Sequence, residues 1–142
     1  MVAPAAESAR GEDVLLTAED VGQVQLAKAA IWAGTQILLH EARIAPGDID
    51  EIVLAGTFGT YLDPASAIAI GMLPPLPPGR FRQVGNAAGA GARAALLSLR
   101  ARGEAERLAR RMHHVELTTH PRFTDEFTDA LRLQEPAPGR SE

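Results

Sequence analysis

The residues with the most chemical promise lie in Ile52–Asp63, IVLAGTFGTYLD. A short apolar run enters a turn carrying Gly56 and Gly59, and Asp63-Pro64 then opens an Ala-rich helix. Glycine has no Cβ, so a backbone there can approach a ligand closely or take φ > 0 without strain. A strand that delivers such a turn to a helix N-terminus is a common way to hold a phosphate or a nucleotide. The same GxxG spacing also serves plain strand-to-helix packing, and the local pattern leaves both readings open. A second set, Gln25, Lys28, Trp32 and Thr35, is spaced as neighbours on one helical surface. Most stripes of this kind are solvated faces. Lys28 is nevertheless the only lysine among 14 basic residues. A GC-rich genome accounts for the drift toward arginine, and a site needing a compact ammonium rather than a planar fork accounts for one exception.

Other chemistries lack their residues. His113, His114 and His120 suggest metal, but adjacent residues on a strand point to opposite faces and no carboxylate cluster accompanies them. No metal site is expected. G-x-S-x-G, H-E-x-x-H and P-loop motifs are absent, so hydrolase, zincin and Walker-type readings have no support. Asp63 reads as a helix cap rather than a catalytic acid. Without cysteine the chain forms no disulfide, no thiolate metal site and no protein-ligated iron–sulfur cluster of the usual kind. A net charge of −4 gives no reason to expect nucleic acid. No apolar run approaches the ~18–20 residues of a membrane span, and MVAPAAESARGED lacks a basic segment followed by an apolar core. The expected location is the cytoplasm.

The elements that must position these residues follow from the hydrophobic pattern. At 142 residues and 46% hydrophobic content, the chain fits one soluble globular domain. Val2–Ala6 and Val14–Leu16, separated by Gly11-Glu12-Asp13, predict a small hairpin. Thr17 is an N-cap with Glu19 and Asp20 in the first turn, opening a helix from Ala18 to about Arg43. Val24, Ala27, Ile31 and Leu38 form one apolar face of it, and Leu26, Ala30, Ala33 and Ile37 a second, which predicts cover on more than one side. Glu51–Ala55 reads as a buried strand, Pro64–Gly71 as a short helix, and the proline-rich run Leu73–Gly79 as a stiff surface loop. Phe81–Val84 is a second strand, followed at Gly85-Asn86 by a helix whose first turns carry only Ala and Gly, suited to close packing or hinge duty. Gly103 is expected to break it from a charged helix, Glu104–Met112. Val115–Leu117 predicts a third strand. Phe123, Phe127, Ala130 and Leu131 predict a last amphipathic helix, and Gln134–Glu142 a disordered polar tail. The alternation argues for an α/β layered domain.

Four blocks, VQLAKAAIWAGTQILLHEA, IVLAGTFGTYLDPASAIAIGMLP, VGNAAGAGARAALLS and HHVELTTHPRFTDEFTDAL, together resemble one family over roughly residues 1–133. It is the C-terminal ATPase domain of the reductive activators of corrinoid proteins, within the acetate kinase/Hsp70/actin superfamily. The resemblance implies a three-layer actin-like (ribonuclease H-like) half-domain with a long N-terminal helix and a small mixed sheet. Full members join a [2Fe–2S] ferredoxin-like domain, a linker and middle region, and this ATPase domain. They couple ATP hydrolysis to the uphill return of Co(II) corrinoid to Co(I). By resemblance Ile52–Gly59 is similar to the adenosine motif, which makes Gly56, Thr57, Phe58 and Gly59 nucleotide-binding; Tyr61 would support the same pocket. Gln25 and Lys28 of the long helix would reach adenine and ribose. Gly85, Asn86 and Gly89 are similar to a connecting segment and would act as a hinge.

The departures from the family's pattern are as informative. This chain carries no iron–sulfur cluster ligands and no Asp-x-Gly-Thr-type phosphate segment before the long helix. ATP and Mg²⁺ are therefore implied by the resemblance, but hydrolysis by this chain alone is not, because phosphoryl transfer depends on the groups that position phosphate and metal. The expectation is a truncated second lobe that works with a corrinoid protein or with a chain supplying the missing lobe and ferredoxin domain. The alternatives are a non-enzymatic docking module for a corrinoid or methyltransferase partner, and an inert fragment.

Overall fold

The computed structural model describes residues 2–133; the tail expected over 134–142 lies outside the described residues. Two strands and six helices follow in the order α1 (Ala18–Ala42), β1 (Ile52–Ala55), α2 (Gly56–Tyr61), α3 (Pro64–Ala69), β2 (Phe81–Gly85), α4 (Ala87–Leu97), α5 (Leu99–Arg111) and α6 (Phe123–Ala130). The class is α/β, as the alternation predicts.

Helix α1 starts where its capping chemistry dictates. The Thr17 hydroxyl accepts the Asp20 amide and the Asp20 carboxylate accepts the Thr17 amide, a reciprocal box that satisfies two orphan donors. The Thr17 amide, and after it the Thr17 hydroxyl donating to Asp20 Oδ2 at 2.7 Å, hold the Asp20 carboxyl below its usual range. Arg43, at φ 54°, ends the helix in the left-handed region. The helix is covered on more than one side, as expected, but not along the faces the pattern singles out. The buried residues are Lys28, Ala29, Ala33, Gly34 and Ile37, while Val24, Ile31 and Leu38 are 41%, 38% and 53% exposed. An apolar ring around a helix does not say which arc its neighbours take. Here α6 takes one side, and Leu117 takes another by packing where a Gly34 Cβ would stand only 3.2 Å from its Cδ1.

Strands β1 and β2 pair in parallel, Ile52 with Phe81, Val53 with Arg82, Leu54 with Gln83 and Ala55 with Gly85, so the register slips by one residue after Leu54. A bidentate pair, Arg82 Nε to Glu51 Oε1 at 2.5 Å and Nη2 to Oε2 at 2.8 Å, ties the two strands at their entry. Ala67, Met72 and Leu73 form a core cluster against which Leu54, Leu62 and Phe81 pack. Each large apolar side chain so buried contributes about 1.5–3 kcal/mol.

Five sequence expectations are corrected. The proline-rich loop is not a surface loop, because Leu73, Pro74 and Leu76 are buried against the core. The sheet is purely parallel with two strands. Val115–Leu117 stays irregular, since no third strand lies beside it; it runs along α1, where His120 Nε2 stands 3.4 Å from Glu41 Oε1. The helix break falls at Ser98, whose hydroxyl accepts the Ala101 amide, and Gly103 lies inside α5. The N-terminal hairpin contracts to a single antiparallel bridge between Ala3 and Val14.

Candidate functional site

Each strand of the parallel pair runs into a glycine in the left-handed region, Gly56 directly after β1 at φ 87° and Gly85 at the end of β2 at φ 60°. Because Ala55 and Gly85 are register partners, the two reversals stand side by side at the carboxyl edge of the sheet. A Cβ at either glycine would meet no atom within 4 Å. Glycine is demanded there by backbone conformation, not crowding, and the space beside both remains open. Crevices beyond the carboxyl ends of parallel strands are where open α/β sheets take ligands.

Gly59 has a different reason to be glycine. Its Cβ would stand 3.0 Å from the Leu54 carbonyl carbon and 3.3 Å from the Leu54 Cβ, so it lets α2 lie directly on β1. The segment read as a turn is helical over Gly56–Tyr61. The Gln83 side-chain amide donates to the carbonyls of Gly59 and Leu62, at 2.8 and 2.7 Å. Helices α2 and α3 enclose a cavity of about 340 Å³ lined by Thr57, Phe58, Tyr61, Asp63, Ser66 and Ile70, among others. Phe58 and Tyr61 are 65% and 84% exposed at its mouth. Asp63 caps α3, accepting the Ser66 amide at 2.8 Å and hydroxyl at 2.6 Å. Those bonds, the hydroxyl first, hold its carboxyl below the usual range. The Asp63-Pro64 start of α3 was readable in the sequence; the roles of Ser66 and Gln83 were not.

Gln25 and Lys28 stand elsewhere. The Gln25 amide donates to the Leu131 carbonyl at 3.0 Å, and the Lys28 ammonium donates to the Arg132 carbonyl. Both therefore grip the carboxyl end of α6, where carbonyls lack helical partners and a cation is favoured. Lys28 is only 2% exposed, and burial pushes its ammonium below the ordinary lysine value. It lines a cavity of about 210 Å³ with Trp32, Gly71, Glu126 and Asp129. The structure thus brings Thr57 and Phe58 together at one cavity and puts Lys28 at another.

At α4, the Asn86 Oδ1 accepts the Gly89 amide at 2.9 Å, and a Cβ on Gly89 would lie 2.6 Å from the Asn86 side chain. Gly85, Asn86 and Gly89 form one joint between β2 and α4. The Ala/Gly face beyond it is exposed, with α5 as the main neighbour of α4. Among the described residues, no three His, Asp or Glu side chains cluster closely enough to hold a metal ion, and no helix is long and apolar enough to cross a membrane.

Comparison with known proteins places this geometry. The corrinoid activation enzyme RamQ of Eubacterium limosum is 40% identical over 126 residues, which cover 89% of this chain and 21% of that protein. A solved structure titled reductive activator for corrinoid,iron-sulfur protein superposes with a TM-score of 0.85 at 39% identity, covering 93% of this chain and 21% of its own. The chain thus spans about a fifth of the length of each. Residues 1–139 match the family described as the C-terminal domain of RACo, the ASKHA domain, and the chain belongs to that family.

Proposed function

We propose that the chain is the adenosine-side lobe of an ATP-dependent reductive activator of a corrinoid protein, working in the cytoplasm beside a phosphate-side lobe and a ferredoxin-like domain. The observation that carries this is the pair of left-handed glycines, Gly56 and Gly85, opening side by side beyond the parallel strands. The nucleoside end of ATP fits this chain. The cavity beside Gly56 offers the Phe58 and Tyr61 rings and the Thr57 hydroxyl, and such sites are mostly apolar with a few placed polar groups. Among the described residues no three His, Asp or Glu side chains gather to hold a metal, and Mg²⁺ with the phosphoryl step is assigned to the phosphate-side lobe. Gln25 and Lys28 would join a nucleotide only by leaving the α6 carbonyls they hold.

Calorimetric titration of ATP into the chain, alone and with the Eubacterium limosum relative shortened by its matching fifth, tests the reading. Weak binding that strengthens with the shortened relative and is lost in Gly56→Ala is expected. Tight binding with full Mg²⁺-dependent turnover by the chain alone would overturn the half-site, and binding indifferent to Gly56→Ala would overturn the nucleotide role.

A further inference from the structure

The chain's one lysine and its one tryptophan line the same cavity. Lys28 and Trp32 stand one turn apart on α1, and with Gly71 and the carboxyl end of α6 they enclose about 210 Å³. The Lys28 side chain is 2% exposed. An ammonium has three N–H donors, and one of these goes to the Arg132 carbonyl. Lys28 forms no ion pair with a carboxylate among the described residues. A buried ammonium with donors to spare is costly unless an acceptor meets them. The acidic groups of the cavity do not supply one. Glu126 is held by Arg122 at 2.5 Å. Asp129 is exposed and, like Arg132, enters no ion pair among the described residues.

We infer that this cavity binds a free α-amino acid with an apolar side chain, its carboxylate on the Lys28 ammonium, its ammonium on the Asp129 carboxylate and its side chain against Trp32. This inference is independent of the nucleotide reading, which uses the cavity at Thr57 and Phe58. Charge sets the class of ligand. Lys28 and Arg132 stand against Glu126 and Asp129, so the lining is neutral in sum. A bare cation meets repulsion from the first pair and a bare anion from the second, whereas a zwitterion satisfies both. Volume sets the size. Pockets for drug-sized ligands run about 300–1,000 Å³, and this one takes a smaller molecule. The walls set the side chain. Trp32 and Leu133 offer apolar contact, and Gly71, at φ 74°, adds backbone to the wall without a side chain.

Because Trp32 and Lys28 are unique in the chain, their signals report on this cavity alone. L-Leucine is titrated into the full chain to about 20 mM, well past a millimolar dissociation constant, while Trp32 emission and the Lys28 Cε resonance are followed. Both should change saturably and with one constant. The Lys28 titration should move upward, since a carboxylate beside the ammonium favours its charged form. Isocaproate, which lacks the ammonium, and isopentylamine, which lacks the carboxylate, should each bind at least about fivefold more weakly. Asp129→Asn should weaken leucine about two- to fivefold, as expected of an exposed pair, and Lys28→Met at least about tenfold. Asp129 is exposed, so its variant tests the site even if Lys28→Met loosens α6. No saturable change with leucine, equal affinity for either half-ligand, or binding indifferent to Asp129→Asn would each overturn the inference. Displacement of leucine by ATP would overturn it as well, by making the cavity part of the nucleotide site.

Discussion

Replacing Lys28 tests whether a buried ammonium, rather than apolar contact alone, fastens α6 to the long helix. Lys28 is 2% exposed and donates to the Arg132 carbonyl, 104 residues away in sequence. A hydrogen bond from a charged donor contributes about 1.5–3 kcal/mol, reduced by the cost of desolvating the charge. Lys28→Met keeps the stem volume and removes both terms, so it should cost about 1 kcal/mol. Lys28→Ala also leaves a cavity and should cost about 2–4 kcal/mol, equivalent to a melting shift of roughly 3–5 °C per kcal/mol for a chain of this size. The pH dependence separates the charge from the packing. Burial lowers the folded pKa below the ordinary lysine value of 10.5, so between the two values the unfolded chain binds more protons. Stability relative to Lys28→Met should then rise with pH across that window, and the penalty should be gone above the unfolded pKa. Denaturant unfolding near pH 7 and through the alkaline window measures the stability difference. As the chain has one lysine, a single Cε resonance reports its titration directly. A Lys28→Ala cost below about 0.5 kcal/mol, the range of an ordinary surface change, or a folded pKa at or above the denatured one would refute the reasoning.

Four further outcomes follow from the geometry. Gly59→Ala should destabilise by about 1–3 kcal/mol, because its Cβ would press on the Leu54 backbone at 3.0 Å. Gly91→Ala, in open space on α4, should stabilise by about 0.5–1 kcal/mol in the same unfolding assay. Asn86→Ala should cost about 1 kcal/mol through the lost α4 cap while Asn86→Asp keeps it, read by denaturation and by amide exchange at Gly89. Asp63 has a folded pKa below the ordinary aspartate value of 3.8, so its contribution is complete above the unfolded pKa and is lost as pH falls through the folded one. An acid titration of stability should be shallower in Asp63→Asn, which can still cap α3.

What could be read from the sequence was local. Thr17, Asp63 and Asn86 each cap a helix through an amide three residues away, so their signal lies inside one short window. The GxxG segment kept two readings open, and the structure divides the work. Gly56 is required by its φ and Gly59 by contact with Leu54, a distinction that spacing cannot express. Most of what differs is long-range. Val115–Leu117 has strand composition but no neighbouring strand to bond. Gly103 looked like the helix breaker, although one interior glycine costs only ~1 kcal/mol and Ser98 offers a cap. The stripe through Lys28 looked solvated because the α6 carbonyls that accept from it lie more than 100 residues downstream.

The Gln83 amide has a mechanical consequence for the glycine joint. One side chain on β2 clamps two carbonyls of the Gly59–Leu62 stretch while Gly59 rests on β1. Helix α2 therefore cannot swivel on the sheet without releasing both bonds and opening that contact. The two strands and α2 are thereby tied into a single plate, which continues into α4 through the Gly85–Asn86 link. A torque applied through α4 would reach the cavity by tilting the whole plate, not by deforming the cavity wall.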